Sequence, residues 1–208
     1  AYDNNIQLNT HAIGDSANRF VLEFYADFLK EKNDRRWRIE HAQIVHPDDV
    51  SKFEKYSVIP SVQSTHATSD MYWADERLGE RIEYAYAFKD LLQANGFIPN
   101  GSDFPVEDIN PLYGFYAAVA RKDHKGYPEG GFQSENALSR EEALLAMTRW
   151  AAYSNFEEHL KGSLEEGKLA DFVILDQDLM DAPEEELFNL KIRATYVGDS
   201  LVYQNDTP

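Results

Sequence analysis

The segment Trp37-Arg38-Ile39-Glu40-His41-Ala42-Gln43 decides how this chain folds. Its first four residues have the short pattern of a β-strand, and a polar His follows them directly. A helix over 48–56, with Pro47 in its first turn, comes next. Apolar residues at spacings of three and four predict an amphipathic helix of about four turns before the segment. They are Ala17, Phe20, Val21, Phe24, Tyr25, Phe28 and Leu29.

The same alternation of strand and helix extends in both directions. The pattern predicts strands over 6–10, 58–62 and 97–100, and helices over 69–94, with a break near Gly79, and over 111–121. Strands separated by helices indicate an α/β fold with a parallel sheet. A complete (β/α)8 barrel needs about 250 residues. The pattern therefore fits half of such a TIM barrel, and it fits a small open α/β sheet equally well.

The character of the sequence changes after residue 155. Ser139 and Glu142 form a capping box for a last long helix, which we expect to run through Tyr153. A turn-rich linker then leads to predicted antiparallel strands over 169–176, 193–197 and 201–204, with a short helix over 184–190 and a tight hairpin at Gly198-Asp199. We expect two domains, over 1–160 and 161–208.

Composition excludes several classes of protein. The 208 residues carry 20 Lys and Arg against 37 Asp and Glu, a net charge of −17, which argues against a nucleic-acid partner. No apolar run of about 18 residues predicts a membrane span. The absence of Cys excludes disulfides, thiolate metal sites and Cys nucleophiles. The first residues lack the features of a signal peptide and read as a strand by Ile6, so we expect a missing upstream part and a cytoplasmic location.

Three polar residues occupy equivalent places in the predicted sheet. His11 and His41 end the first and second strands, and Asp103 follows the fourth. The carboxyl ends of parallel strands meet at one edge, where active sites form. Two imidazoles and one carboxylate suit zinc or a similar divalent ion and leave a coordination position open. Singly, each residue could equally be a packing His or a turn Asp.

His66 follows the third predicted strand and faces the same edge. It could be a fourth metal ligand, a hydrogen-bond donor to a substrate oxygen, or a plain loop residue. Trp73 and Arg77 lie on the next helical segment. Arg77 could reach an anionic or carbonyl group above the mouth of the sheet, or it could pair on the surface with Asp75 or Glu80.

Several motifs, taken in order, resemble a known family. They are His11-Ala12-Ile13-Gly14-Asp15, Arg38-Ile39-Glu40-His41-Ala42-Gln43, Ser61-Val62-Gln63 with His66, Trp73-Ala74 with Arg77-Leu78-Gly79, Gly101-Ser102-Asp103-Phe104-Pro105-Val106, Glu141-Glu142-Ala143-Leu144, and the stretch from Gly162 to Asp171. Together they resemble the C-terminal half of a metal-dependent amidohydrolase of amidohydrolase family 3, the branch that includes N-substituted formamide deformylase-like enzymes. The resemblance implies strands five to eight of a (β/α)8 barrel and part of a small β-sandwich domain.

The same resemblance implies roles for the site residues. His11, His41 and Asp103 would bind one or two divalent ions, with zinc expected. A metal-activated water would attack the carbon of a small amide-type substrate, and Asp103 would accept its proton as general base. His66 would act beside the substrate, and Trp73 and Arg77 would help to bind it.

Departures from the family pattern limit what we expect of this chain. The His-x-His pair after barrel strand one and the metal-bridging residue after strand four are absent, and Ser64 stands where the family often has Pro. We therefore expect the isolated chain to be inactive and to associate with a missing N-terminal half or with itself as a homo-oligomer. The alternative is a non-catalytic, truncated or degenerate relative with a structural or ligand-binding role.

Overall fold

A parallel sheet organises the N-terminal part of the chain. In the computed structural model, which describes residues 1–205, β1 (Asn9–Ala12) pairs with β2 (Arg38–His41), and β2 pairs with β3 (Ile59–Ser61). The predicted parallel arrangement is confirmed. The first strand begins at Asn9 and ends at Ala12, later than the predicted 6–10, so His11 lies inside β1 and does not follow it.

The predicted fourth strand is reduced to a short extended segment. Residues 97–101 lie beside β3, where the Val62 N–H donates to the Pro99 carbonyl and the Gly101 N–H donates to the Val62 carbonyl, both at 2.9 Å. A single parallel bridge joins Val62 to Asn100. This bridge is enough to bring the loop that contains Asp103 to the same edge as the ends of β2 and β3.

Two helices cross between the strands of this sheet. They are α1 (Asp15–Leu29) and α2 (Pro47–Tyr56), and α2 begins as expected, with His46 accepting a hydrogen bond from the Asp48 N–H. The apolar residues of α1 divide into two faces. The inner one is buried and contains Val21, Leu22, Tyr25 and Leu29. The outer one is an exposed aromatic stripe formed by Phe20, Phe24 and Phe28, with 70%, 49% and 40% of each residue exposed.

The helical region predicted over 69–94 is several short helices. They are α3 (Ser64–Asp70), α4 (Ala74–Leu78), a 3-10 helix (Gly79–Tyr84) and α5 (Phe88–Asn95). The predicted break is present, since Gly79 adopts a φ of 57° that favours glycine. The beginning of α3 at Ser64 differs from the prediction and places His66 on a helix.

Three more helices complete the first part of the chain. α6 (Pro111–Ala120) begins behind Asn110, whose side chain accepts the Leu112 N–H. The expected last long helix is two helices, α7 (Arg140–Met147) and α8 (Arg149–Ser154), because Thr148 leaves the helical conformation at φ −125° and ψ −88°. The predicted capping box of Ser139 and Glu142 is confirmed.

The C-terminal part is a small antiparallel sheet, as predicted. Its strands are β4 (Phe172–Leu175), β5 (Ile192–Val197) and β6 (Ser200–Gln204), in that order. Gly198 and Asp199 have φ values of 55° and 67°, the conformation of a tight type I′ hairpin. A 3-10 helix (Glu184–Asn189) between β4 and β5 packs on α6 and buries Leu187 completely. Residues beyond 161 thus share a core with those before it.

None of the helices in residues 1–205 is long and apolar enough to cross a membrane.

Asn18 joins the ends of β1 and β2. Its side chain is fully buried in α1, and its Nδ2 lies 3.2 Å from the Ala12 carbonyl, 3.0 Å from that of Ile13, 3.1 Å from that of Gly14 and 3.1 Å from that of Ile44. One amide group therefore satisfies carbonyls from two chain segments that leave the sheet at the same edge. The Ile13 and Gly14 carbonyls also accept the backbone N–H groups of Ile44 and Asn18. Without the Asn18 amide, the buried carbonyls of Ala12 and Ile44 would lose this donor.

Replacing Asn18 by Ala should lower the free energy of unfolding by about 2–3 kcal/mol, because buried acceptors are left without a donor. Urea denaturation followed by circular dichroism measures this change. Asn4→Ala, at an exposed position, serves as the matched control and should change stability by less than about 0.5 kcal/mol. Equal stability of the two variants would show that Asn18 does not hold the strand ends together.

Candidate metal centre

Three potential metal ligands converge at the carboxyl edge of the parallel sheet. His41 ends β2, His66 lies in the first turns of α3 directly after β3, and Asp103 follows the extended segment beside β3. One ligand atom from each of these side chains lies within 4.8 Å of the others. Both imidazoles are buried, whereas the Asp103 side chain is one-third exposed.

His11 stands next to this group. Its ring centroid lies 4.4 Å from that of His41, with the rings nearly perpendicular, and the His41 ring lies 5.6 Å from that of His66. All four residues predicted to form the metal centre are thus neighbours. The three side chains whose ligand atoms lie within 4.8 Å of one another, however, are His41, His66 and Asp103. His11 lies outside this group, on β1, and contacts it through the His41 ring.

The environment of His41 fits a metal ligand. Its Nδ1 is buried and has no hydrogen-bond partner among residues 1–205. Burial lowers the pKa of His41, and the neighbouring His11 lowers it further, so the neutral ring is favoured. A neutral imidazole with a free nitrogen is the form that coordinates a metal ion, and a carboxylate within reach supplies a second ligand of the kind that zinc accepts.

His66 is in the opposite electrostatic state. Its Nε2 lies 3.1 Å from Oδ2 of Asp103, and its Nδ1 lies 3.2 Å from Oε1 of Glu107. Burial by itself lowers the pKa of His66, but the hydrogen bond and charge of Glu107, with further contributions from Asp70 and Asp103, produce a net rise. A protonated imidazole between two carboxylates can donate from both nitrogens, an arrangement that suits a hydrogen-bond donor better than a metal ligand.

Glu107 is a site residue that the sequence did not reveal. Its Oε1 accepts a hydrogen bond from the Ser69 hydroxyl at 2.6 Å as well as contacting His66, and the hydrogen bond from His66 is the main reason that its pKa is lowered. Glu107 lies four residues beyond Asp103 in an irregular loop. The sequence gives only a weak indication of this role, namely an acidic residue in the same loop as Asp103. No periodic pattern relates a loop residue to the residues of α3 that it contacts.

The backbone of the site is strained at three positions. His41, Ala42 and Asp103 have φ values of 78°, 44° and 60°, in the left-handed region that residues with a Cβ rarely occupy. Such conformations cost about 1–3 kcal/mol each and persist only where the surroundings hold them. The turn after β2 and the Asp103 loop are therefore fixed by other contacts.

A buried polar network holds the turn after β2. Gln43 Nε2 donates to Asp70 Oδ2 at 2.9 Å and lies 3.1 Å from the Tyr86 hydroxyl, which also donates to Asp70 Oδ2 at 2.9 Å. The Tyr86 N–H donates to the Gln43 carbonyl at 2.6 Å. Asp70 ends α3, the helix that carries His66. The network thus connects the segment that follows His41 to the helix of His66.

Trp73 and Arg77 lie at the surface, in the segment that follows α3. Trp73 is 47% exposed, and Arg77 is exposed in α4. Within residues 1–205, the Arg77 side chain makes no ion pair, so the alternative pairing with Asp75 or Glu80 is not formed. Their roles in substrate binding stay predictions.

The chain is similar to several known proteins. Residues 1–203 match a family model described as "Amidohydrolase family". The chain is 38% identical over 202 residues to Protein LONG AFTER FAR-RED 3 of Arabidopsis thaliana, which covers 95% of this chain and 34% of that protein. It is 27% identical over 206 residues to the N-substituted formamide deformylase of Arthrobacter pascens, which covers 96% of this chain and 37% of that enzyme.

A solved structure shows the same fold. An uncharacterized metal-dependent hydrolase from Pyrococcus horikoshii OT3 superimposes with a TM-score of 0.74 at 32% sequence identity, over 86% of this chain and 35% of that protein. The chain spans about a third of the length of the curated relatives described above.

The polar network behind the site can be tested through Tyr86. Tyr86→Phe removes the hydroxyl that donates to Asp70 and should lower the free energy of unfolding by about 1–2 kcal/mol, since the partly buried Asp70 carboxylate is left with one donor fewer. Thermal unfolding by calorimetry measures the loss. The control is Tyr203→Phe, whose ring is 49% exposed on β6 and whose hydroxyl is expected to contribute little. Matching unfolding curves for the two variants would contradict a stabilising role for the network.

Proposed function

Because the chain belongs to the amidohydrolase family, as its motifs indicated, we propose that it supplies the metal-binding and proton-transfer residues of a metal-dependent hydrolase of amide-type carbon–nitrogen bonds. The observation that supports this best is the convergence of His41, His66 and Asp103 at one sheet edge, with ligand atoms within 4.8 Å of one another. The likeness to a metal-dependent hydrolase adds to it.

The architecture that we propose is part of a (β/α)8 barrel. β1, β2, β3 and the extended segment over 97–101 would be strands five to eight, within residues 1–160. The antiparallel strands β4, β5 and β6 would be part of a small β-sandwich domain, within residues 161–208. Two observations support this proposal. The strands β1, β2 and β3 and the extended segment pair in parallel and in chain order, and the chain spans about a third of the length of its curated relatives.

His11, His41 and Asp103 are the residues that would hold the ion in this proposal. Two imidazoles and a carboxylate are a ligand set that catalytic zinc accepts, and the buried Nδ1 of His41, without a partner in residues 1–205, supports a ligand role for this residue. Bound zinc would supply an activated water and polarise the substrate carbonyl. Asp103 would accept a proton and return it to the departing nitrogen, a role that its partial exposure permits.

His66 would stabilise charge on the substrate. An imidazole with carboxylates at both nitrogens is held in a fixed orientation, and these carboxylates favour its protonated form. Exchange of its Nε2 contact from Asp103 to a substrate oxygen would place a positive donor where negative charge develops during amide hydrolysis. Glu107 would keep the ring oriented during this exchange, and Trp73 and Arg77 would contact outer parts of the substrate.

Zinc titration of the 208-residue chain tests the proposed ligands. We expect wild type to bind zinc and His41→Ala and Asp103→Asn to weaken the affinity at least about tenfold, because each removes one coordinating atom. Isothermal titration calorimetry gives these affinities. His159→Ala, an exposed His far along the chain, is the matched control and should bind like wild type. Equal affinity of all four proteins, or no zinc binding by any, would refute the proposed centre.

The surface of the chain supports a further proposal, that it functions with another chain or domain. Among residues 1–205, β1 pairs only with β2, so its other edge is open, and the aromatic stripe of α1 lies exposed nearby. Open strand edges and large apolar patches associate with whatever surface is available. The partner would be a missing N-terminal half or a second copy.

We therefore expect the purified chain to self-associate and not to hydrolyse amides by itself. Size-exclusion chromatography with light scattering measures the association, and release of amine from formamide and acetanilide substrates measures the activity. A monodisperse monomer that melts cooperatively would contradict the association. Measurable hydrolysis would contradict the inactivity, whereas zinc binding without hydrolysis in any complex would favour the non-catalytic alternative.

A further inference from the structure

A cavity adjoins the candidate metal centre. It has a volume of about 680 Å³ and lies between α3, α6 and the loop that follows Asp103. Its lining includes Thr65, Ser69, Tyr72, Glu107, Tyr113 and Phe188. The volume is in the range of small-molecule sites, which are typically lined by aromatic side chains and a few polar groups.

The cavity connects to the site through Glu107. The same carboxylate oxygen contacts His66 Nδ1 at 3.2 Å and accepts from the Ser69 hydroxyl at 2.6 Å. Thr65 and Ser69 stand on either side of His66 in α3. The cavity therefore begins on the Nδ1 side of His66, whereas Nε2 of the same ring would meet the substrate oxygen. A substituent that extends past the His66 ring would reach the cavity.

Aromatic side chains that contact other residues of the chain form part of the cavity wall. The Tyr72 ring stacks on that of Tyr127, with centroids 5.7 Å apart and planes 14° from parallel. The Tyr72 hydroxyl donates to Asp123, which also accepts the backbone N–H groups of Lys125 and Tyr127. Phe188 lies against Tyr116 with centroids 5.2 Å apart. These contacts hold two aromatic groups in place before any ligand arrives.

The charged groups of the lining disfavour a charged ligand. Its carboxylates already have protein partners, since Glu107 contacts His66, Asp108 accepts the Asn110 N–H and Asp123 accepts the Tyr72 hydroxyl. Lys122 likewise forms an ion pair of 2.7 Å with Glu184. The lining contains these three carboxylates and two lysines, besides His124. The buried Thr65 hydroxyl has no partner in residues 1–205 and can accept or donate one neutral hydrogen bond. A carboxylate would meet net negative charge here.

We propose that this cavity receives an uncharged aromatic substituent of the amide substrate and so determines the substrate class. This inference rests on the proposed function, because it assigns the group next to the scissile bond. An aromatic ring would gain contact area against Tyr72, Tyr113 and Phe188, and a neutral polar atom on it would pair with Thr65.

Ligand binding by the zinc-loaded 208-residue chain tests the proposal. Three probes are used: phenylacetamide, acetamide, which lacks the ring, and 4-carboxyphenylacetamide, which adds a negative charge. We expect phenylacetamide to bind at least about tenfold more tightly than either of the others. Dissociation constants come from ligand-observed NMR titrations.

Two variants locate the binding. Tyr72→Ala and Tyr113→Ala should weaken phenylacetamide at least about fivefold and leave zinc affinity unchanged, since neither residue is a proposed ligand. Tyr72 is 60% exposed, so its removal is compatible with folding even if Tyr113→Ala is unstable. Tyr203→Ala on β6 is the matched control.

The outcomes separate this inference from the proposed function. Zinc binding by wild type with equal affinity for all three probes, or with unchanged phenylacetamide binding in Tyr72→Ala, overturns the aromatic subsite and leaves the metal centre standing. Absence of zinc binding by wild type refutes the metal centre itself. Tighter binding of the carboxylate probe than of phenylacetamide overturns the assignment of an uncharged substituent.

Discussion

Parallel pairing of β1, β2 and β3 is the constraint on which the rest of the structure depends. The register places Ala12 opposite His41 and Glu40 opposite Ser61, so the three strands end within a few residues of one another. Parallel strands also require a crossover after each strand. The polar residues of the site lie near the carboxyl ends of the strands, as His11 and His41 do, or shortly after them, as His66 does. Chemistry dispersed over about 90 positions of sequence thereby converges on one edge, and Asn18 fixes the first two exits from it.

Within that edge, the pKa values of two neighbouring imidazoles are shifted in opposite directions. Burial and the neighbouring His11 lower the pKa of His41, whereas Glu107, with Asp70 and Asp103, outweighs the effect of burial and raises the pKa of His66. Both residues are equally buried, so the neighbouring side chains account for the difference. The two rings lie about 6 Å apart, and groups whose surroundings separate their pKa values are typical of acid–base sites.

The sequence predicted the parts of this site that follow from strand periodicity. His11, His41 and Asp103 could be placed together because strand ends are recognisable and their geometry in a parallel sheet is general. Glu107 and the network of Gln43, Asp70 and Tyr86 could not, because their contacts join a loop, a strand exit and helix ends that no period relates. The beginning of α3 at Ser64 was missed for a similar reason. Its first residues, with two Thr and two Ser among seven, have low helix propensity and are helical because the turn is buried.

The apolar residues of α1 show that one periodic pattern can include both a buried and an exposed face of a helix. Phe20, Phe24 and Phe28 share the apolar spacing of Val21, Tyr25 and Leu29, and periodicity alone assigns all of them to a buried face. The side of α1 that carries the three Phe rings is exposed, and β1 has a neighbour on one side alone in residues 1–205. An unpaired strand edge and an aromatic stripe on the helix that follows it are both features that the proposed partner would cover. His11 is the candidate ligand that lies on β1, so an element paired with the open edge of that strand would lie beside His11 and close to the His41 ring.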